Sequence, residues 1–184
     1  MRALILQWKE QAIQKQDPLA TARCLQYLVQ IADKTTEDTL FFRNSLLFDS
    51  VLRSEASEPL LKSIMHMMKA KRIYEFKSRY YYGKGRTLFH SYDAAVDYAA
   101  LSEFELNSLI SGHFEKALQL ARISTQPSGQ EILWLSSNPA SVLAFKPDLV
   151  DIIHLEQIVS WSNGPWLQPG RETLIGPLDF SRRL

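Results

Sequence analysis

A dense run of aromatic and basic residues near the middle of the chain constrains the fold most. The run extends from Arg72 to Phe89 and has the sequence RIYEFKSRYYYGKGRTLF. Aromatic side chains favour strands, and the closely spaced Gly83 and Gly85 favour a tight turn between two strands. The sequence therefore predicts a β-hairpin at this place.

The spacing of apolar residues before the hairpin predicts consecutive helices. Leu4 and Trp8 begin a helical pattern that is interrupted at Asp17-Pro18. Proline suits the first turn of a helix and disfavours helix in the residue before it, so one helix ends here and a second begins. Two more helices are predicted, one between about residues 36 and 52 and one from Pro59 onward.

The helix that begins near Pro59 contains the methionines Met65, Met67 and Met68. Methionine at helical spacing usually fills a core, although a methionine patch can also adapt to varied partners. Core filling is the favoured interpretation, and a role in partner binding stays open. His66 lies inside the same run without a histidine or cysteine four residues away, so we expect it to be packed or exposed and not to bind a metal.

Short apolar runs after the hairpin predict further strands. They lie at residues 131–136 and 150–161, next to turn-forming residues. The C-terminal residues are rich in glycine and proline but also contain Trp166 and Phe180. This composition predicts a loop-rich segment that packs on the body of the domain.

Together these patterns predict an α+β fold. A helical N-terminal half would be followed by a small, mainly antiparallel sheet with flanking helices and a long C-terminal wrap. We expect a single domain over residues 1–184, because this length suits one domain with its own core. Its helical subregion would cover residues 1–70, and the hairpin, helices and sheet would cover residues 71–184.

Composition excludes several classes of protein. Of the 184 residues, 46% are hydrophobic and 22% are charged, as in ordinary folded domains. The 21 basic and 20 acidic side chains give a net charge of +1, so no overall field draws the chain to nucleic acid or to an anionic membrane. Cys24 is the only cysteine, which excludes an intrachain disulfide and a thiolate zinc cluster. We expect Cys24 in the core.

No segment predicts export or insertion into a membrane. The apolar run at the N-terminus is interrupted by Lys9 and Glu10 and is too short for a signal peptide. No window contains the roughly 20 apolar residues of a membrane span. We expect no membrane partner, and a cytoplasmic location or export without a readable signal.

Common catalytic motifs are missing from the sequence. It has no Gly-x-x-x-x-Gly-Lys-Ser/Thr loop, no His-Glu-x-x-His, no Gly-x-Ser-x-Gly and no dinucleotide-binding glycine series after a strand. The main functional hypothesis is therefore a non-enzymatic protein-interaction or regulatory module that needs no cofactor and binds another protein.

The hairpin is the candidate binding surface, because it combines cations with aromatic rings. Such a mixture can bind a protein partner, or it can hold phosphates and stack on bases. A nucleic-acid-binding module is nevertheless the third hypothesis, since basic edge strands are commonly only solvated. The candidate binding residues are Arg72, Arg79, Tyr80, Tyr81, Tyr82, Lys84 and Arg86.

The second hypothesis comes from a resemblance. Residues 91–99 have the pattern Ser-x-x-x-Ala-x-x-Tyr-Ala after the predicted hairpin, which resembles one segment of ADP-ribosyltransferase-like domains. The resemblance implies NAD as the cofactor. Arg79 would hold its phosphates or ribose, Tyr92 would stack on the nicotinamide, and Glu156 would stabilise the developing oxocarbenium ion. The alternatives for the first two roles are Arg72 and Tyr98.

Overall fold

The secondary structure is helical in the part of the chain that the computed structural model describes. This part consists of residues 1–35, 41–81, 96, 98–125, 127, 129–136 and 146–162. Its helices are α1 (Arg2–Gln14), α2 (Pro18–Thr35), α3 (Phe41–Asn44), α4 (Leu46–Arg53), α5 (Pro59–Phe76), α6 (Glu103–Ile123), α7 (Gly129–Ile132) and α8 (Leu149–Ser162). A π-helical turn (Lys77–Tyr81) continues α5, and a 3-10 turn (Leu133–Leu135) follows α7.

The predicted α+β fold is wrong, because the described residues form helices where the sheet was expected. Residues 72–81 of the predicted hairpin belong to α5 and its π-helical turn. The run at 131–135 ends α7 and forms the 3-10 turn, and the run at 150–161 lies within α8. The rest of the hairpin, 82–89, and the predicted C-terminal wrap lie outside the described residues.

Buried cations explain why the second half of α5 resembles a strand in sequence but forms a helix. Five buried positions of α5 and its π-helical turn follow the intervals i, i+3, i+4, i+7 and i+8 of one helical face. They are Lys69, Arg72, Ile73, Phe76 and Lys77. Three of the five are charged, so a search for apolar periodicity does not detect this face.

Helix α8 also has a helical set of buried residues. They are Leu149, Ile152, Ile153, Glu156 and Ser160. Its start is fixed by a reciprocal cap: the Asp151 backbone N–H donates to Asp148 Oδ1 at 2.8 Å, and the Asp148 N–H donates to Asp151 Oδ2 at 3.1 Å. This arrangement satisfies two amide groups that would otherwise lack partners at a helix start. It outweighs the β-propensity of the isoleucines and valines that follow.

The helix boundary predicted at Asp17-Pro18 is confirmed. Pro18 is the first residue of α2, and Asp17 Oδ1 accepts a hydrogen bond of 2.9 Å from the Ala20 N–H. Helix α1 ends just before, with Gln16 in the left-handed region at φ 53°. The Asp17 N–H donates back to the Ala12 carbonyl at 2.9 Å and closes this turn.

Helix α5 is central to the described fold. Helices α2, α4, α6 and α8 all pack against it, and α1 packs on α2. At the start of α6, Ser102 and Glu105 form a reciprocal cap, and the hydrogen bonds from the Ser102 side chain and backbone lower the pKa of the Glu105 carboxyl. The largest fully buried side chains are Phe76, Phe114, Ile64, Met65, Met67, Ile73, Leu106, Ile132, Leu149, Ile152 and Ile153.

Two predictions about the core are confirmed. Cys24 is buried, and this burial raises the pKa of its thiol, as expected for an inert side chain. Met65, Met67 and Met68 are also buried. The methionines of α5 therefore belong to the core, as the favoured interpretation of the sequence predicted.

Candidate functional site

A groove of about 250 Å³ lies between α2 and α5. Its apolar lining residues are buried and form its floor: Val29, Phe48, Met67, Met68 and Leu135. Its polar lining residues are Gln26, Gln30, Asp33, Lys71, Arg72 and Glu75. Most of the polar residues are partly or fully exposed, so the groove has an apolar floor and a polar rim.

Arg72 ties the two walls of the groove together. Its Nη1 and Nη2 each donate a hydrogen bond of 2.6 Å to a separate carboxylate oxygen of Asp33 on α2. Nη2 also donates to the Phe41 carbonyl at 2.8 Å, and the guanidinium carbon lies 3.3 Å from the centroid of the Phe41 ring. A bidentate pair of this kind fixes both distance and orientation, so it holds α2 at a defined separation from α5.

One nitrogen of Arg72 lacks a hydrogen-bond partner within the described part of the chain. It is the buried Nε atom. The five donors of a guanidinium are seldom all satisfied in a crowded site, and an unpaired donor weakens the net stabilisation by the ion pair. The bidentate contact therefore fixes geometry more than it adds stability.

Charges continue from Arg72 along the exposed side of α5. Glu75 Oε2 lies 3.5 Å from Arg72 Nη1, and Glu75 Oε1 lies 3.0 Å from Arg79 Nη1. On α2 and α3, Asn44 Nδ2 donates to Asp33 Oδ1 at 2.8 Å. The rim of the groove is thus an alternating network of positive, negative and neutral polar groups, without an excess of one sign.

A second ion pair joins α5 to α8. Lys71 Nζ lies 2.6 Å from Glu156 Oε2 and donates to the Leu135 carbonyl at 3.1 Å. The Glu156 side chain is only 3% exposed, whereas that of Lys71 is 32% exposed. Lys71 therefore links the groove to α8 and supplies a counter-charge to a buried carboxylate.

Of the candidate binding residues predicted from the sequence, Arg72 and Arg79 have side chains that the structure describes. Arg72 is buried in its ion pair, and Arg79 is exposed beside Glu75. The backbones of Tyr80 and Tyr81 belong to the π-helical turn, and their side chains lie outside the described part. Three more of the candidates also lie outside the described residues: Tyr82, Lys84 and Arg86.

Arg79 and Glu156, two of the residues implied by the resemblance to ADP-ribosyltransferase-like domains, lie in different ion pairs. Arg79 lies on a helix, not on the strand that the resemblance requires, and its partner is Glu75. Glu156 is buried with Lys71, which precedes Arg79 by eight residues, or about 12 Å along a helix. Tyr92 lies outside the described residues. Within the described residues, no group of three or more His, Cys, Asp or Glu side chains could hold a metal ion.

The structure reveals one polar pair that the sequence did not predict. His66 on α5 and His113 on α6 approach with 2.9 Å between their Nδ1 atoms, although they are 47 residues apart in the chain. Burial, with Lys116 and Lys62 nearby, lowers the pKa of His66 to about 4. Burial, followed by His66, Lys69 and Lys116, lowers the pKa of His113 to about 3. No local motif marks either residue, so only the packing of α5 on α6 identifies the pair.

Comparison with known protein families, curated proteins and solved structures gives no match to this chain. Among the described helices, none has the length and the apolar character that a membrane span requires. The groove and the residues that shape it therefore provide the indication of function.

Proposed function

We propose that this chain is a non-enzymatic protein-interaction module that binds an apolar side chain of a partner protein in the groove between α2 and α5. The observation that supports this proposal is the shape and lining of the groove, which has an apolar floor below a polar rim. This combination is typical of sites where one anchor side chain of a partner is buried and its neighbours form hydrogen bonds at the edge.

The size of the groove favours a side chain over a cofactor. Its volume of about 250 Å³ lies below the roughly 300–1,000 Å³ of typical small-molecule sites. One or two large apolar side chains fill such a space. Met67 and Met68 in the floor favour this use, because flexible thioether side chains adjust to anchors of different shapes.

The rim supplies hydrogen-bonding groups for a peptide backbone. Gln30 is exposed and Gln26 is partly exposed, and each amide offers both donors and an acceptor. The contact between Arg72 and Asp33 fixes the separation of the two walls before a partner arrives. A preformed groove loses less conformational entropy on binding than a flexible surface does.

Peptide selection followed by a blocking substitution tests the proposal. The purified protein is used to select ligands from a library of random displayed peptides, and the affinity of the best peptides is measured by fluorescence anisotropy. Gln30→Trp places a large ring at the rim and should weaken binding at least tenfold. The matched control is Gln7→Trp, which puts the same ring on the exposed Gln7 position of α1 and should leave the affinity unchanged.

The selected peptides should share an apolar anchor residue whose replacement by alanine abolishes binding. Two results would contradict the proposal: a selection that yields no specific peptide, or peptides that bind the Gln30→Trp variant as tightly as the native protein. Circular dichroism of both variants establishes that the helices are intact, so a loss of binding can be attributed to the blocked groove.

A further inference from the structure

The contact between His66 and His113 imposes a definite protonation state. The two Nδ1 atoms are 2.9 Å apart, and the ring centroids are 5.1 Å apart, across the α5 and α6 interface. A hydrogen bond between two imidazoles needs one N–H donor and one acceptor lone pair. The two neutral rings must therefore be different tautomers that share a single hydrogen between their Nδ1 atoms.

The charged groups around this pair are positive. Lys62 and Lys69 lie on α5, and Lys116 lies on α6. Asp49 of α4 reaches Lys69, whose Nζ lies 2.8 Å from its Oδ2, and so neutralises that ammonium. Within the described part of the chain, no carboxylate forms an ion pair with either imidazole. A proton added to the pair thus gains no counter-charge.

We propose that His66 and His113 form an acid-sensitive latch, which holds α5 on α6 while both rings are neutral and releases this contact when they take up protons from solvent. The first proton binds Nε2 of the donor ring and leaves the shared hydrogen bond in place. The second can bind only Nδ1 of the acceptor ring. Two N–H groups would then point at each other across 2.9 Å, and the rings must separate.

The direction of the pH effect follows from linkage. The closed pair has pKa values of about 4 and about 3, whereas rings released to solvent return toward the ordinary value of 6.5. Between pH 6.5 and 4 the open state binds more protons, so the closed state loses stability as the pH falls and is fully stable above pH 6.5. With these pKa values each ring contributes about twentyfold between pH 7 and pH 5, so the two rings together predict an increase in opening of roughly several hundredfold.

Hydrogen exchange measured by mass spectrometry tests this latch. Amide protection factors in peptides from α5 and α6 are compared at pH 7, 6 and 5, after correction for the intrinsic exchange rate. In the native protein they should fall by roughly several hundredfold over this range. In the double variant His66→Asn with His113→Asn they should stay constant, because the asparagine amide occupies the place of Nδ1 but does not titrate.

Asparagine lowers helix stability by the same amount at every pH, so it changes the level of the protection factors and not their pH dependence. The control is His154→Asn, which alters an exposed histidine on α8 and should keep the native pH profile. A pH dependence that survives unchanged in the double variant would overturn the proposal, since it would then arise from other groups. Constant protection in the native protein would also overturn it.

A measurement on the native protein covers the case in which the double variant does not fold. Nitrogen-15 NMR of the imidazoles between pH 7.5 and 4.5 reports the tautomer and the titration of each ring. One of the two rings should carry its hydrogen on Nδ1 and the other on Nε2, and both should remain neutral at pH 5.5. Ordinary titration of either ring near pH 6.5 would contradict the latch.

Discussion

The two halves of α5 bury polar side chains in opposite electrostatic settings. In the first half, the buried Ser63 donates to the Ala117 carbonyl and the half-buried His66 contacts another histidine, so these polar groups are neutral. In the second half and in the π-helical turn that continues it, the buried polar groups are cations, and each one has a carboxylate from another helix. These pairs are Lys69 with Asp49, Arg72 with Asp33, and Lys77 with Glu103.

The difference follows from the chemistry of the side chains. Arginine stays protonated in proteins, and lysine strongly favours its charged form at neutral pH. Both side chains therefore need a counter-charge when they are buried. Burial lowers the pKa of Lys77, and its hydrogen bond to Glu103 opposes this shift. Histidine loses its proton readily, so His66 and His113 can be half-buried among lysines as neutral rings. We therefore expect the second half of α5 to lose stability when a carboxylate partner is removed, and the first half to lose stability when the neutral pair of His66 and His113 is protonated.

The largest effect is expected for Asp49→Ala. The side chains of Lys69 and Asp49 are only 3% and 11% exposed, so removal of the carboxylate leaves the ammonium of Lys69 buried without this counter-charge. Breaking a buried pair typically costs 3–5 kcal/mol, and we expect about 3 kcal/mol here, because Lys69 Nζ also lies 5.4 Å from the Tyr98 ring. Urea denaturation at pH 7 measures the change.

Two controls separate charge burial from a general effect of substitution at Asp49. Glu55→Ala removes an exposed acid close by in the sequence and should change the stability by less than about 0.5 kcal/mol. The double variant Lys69→Met with Asp49→Leu removes both charges and should recover most of the loss. If Asp49→Ala were no more destabilising than Glu55→Ala, the described division of α5 would be wrong.

The next effect is an asymmetry within the ion pair of Lys71 and Glu156. Lys71→Met leaves the carboxylate of Glu156 buried without this ammonium, and we expect a loss of about 2–3 kcal/mol. Glu156→Gln leaves the ammonium of Lys71, which is 32% exposed and can turn to solvent, so the loss should be about 1 kcal/mol. Both are measured by urea denaturation at pH 7. Equal losses, or a larger loss for Glu156→Gln, would contradict this account of which partner depends on the other.

The sequence predicted those parts of the fold that local chemistry determines. The break between α1 and α2 depends on Asp17-Pro18, and the start of α5 depends on Pro59, which is its first residue. The second half of α5 was predicted as a strand because of its aromatic residues and the glycines that follow, and its helical face was hidden because it contains cations whose partners are distant in sequence. Asp33, for example, lies 39 residues from Arg72. The reciprocal cap of Asp148 and Asp151 was present in the sequence, but the β-propensity of the residues after it hid the helix.

The groove could not be predicted, because it is assembled from four separate segments. Helix α2 contributes one wall, α5 the other, and Phe48 and Leu135 come from α4 and the 3-10 turn. Of its lining residues, Arg72 was a candidate from the sequence, but as a binding residue of a hairpin and not as a buried link between helices. The methionines were recognised as core residues, yet their place below an open groove depends on how α2 lies across α5.

The smallest effect is expected at the exposed end of the charge network, which continues from α5 into its π-helical turn. Arg79 is 66% exposed, and its ion pair with Glu75 spans 3.0 Å at the surface. Water and salt screen such a pair, so Arg79→Ala should change the free energy of unfolding by less than about 0.5 kcal/mol, and added salt should reduce even that. Urea denaturation at low and high salt measures both effects. A loss near that of Asp49→Ala would mean that the charges along α5 act as one network, and that the stability of the buried pairs depends on the surface pair beside them.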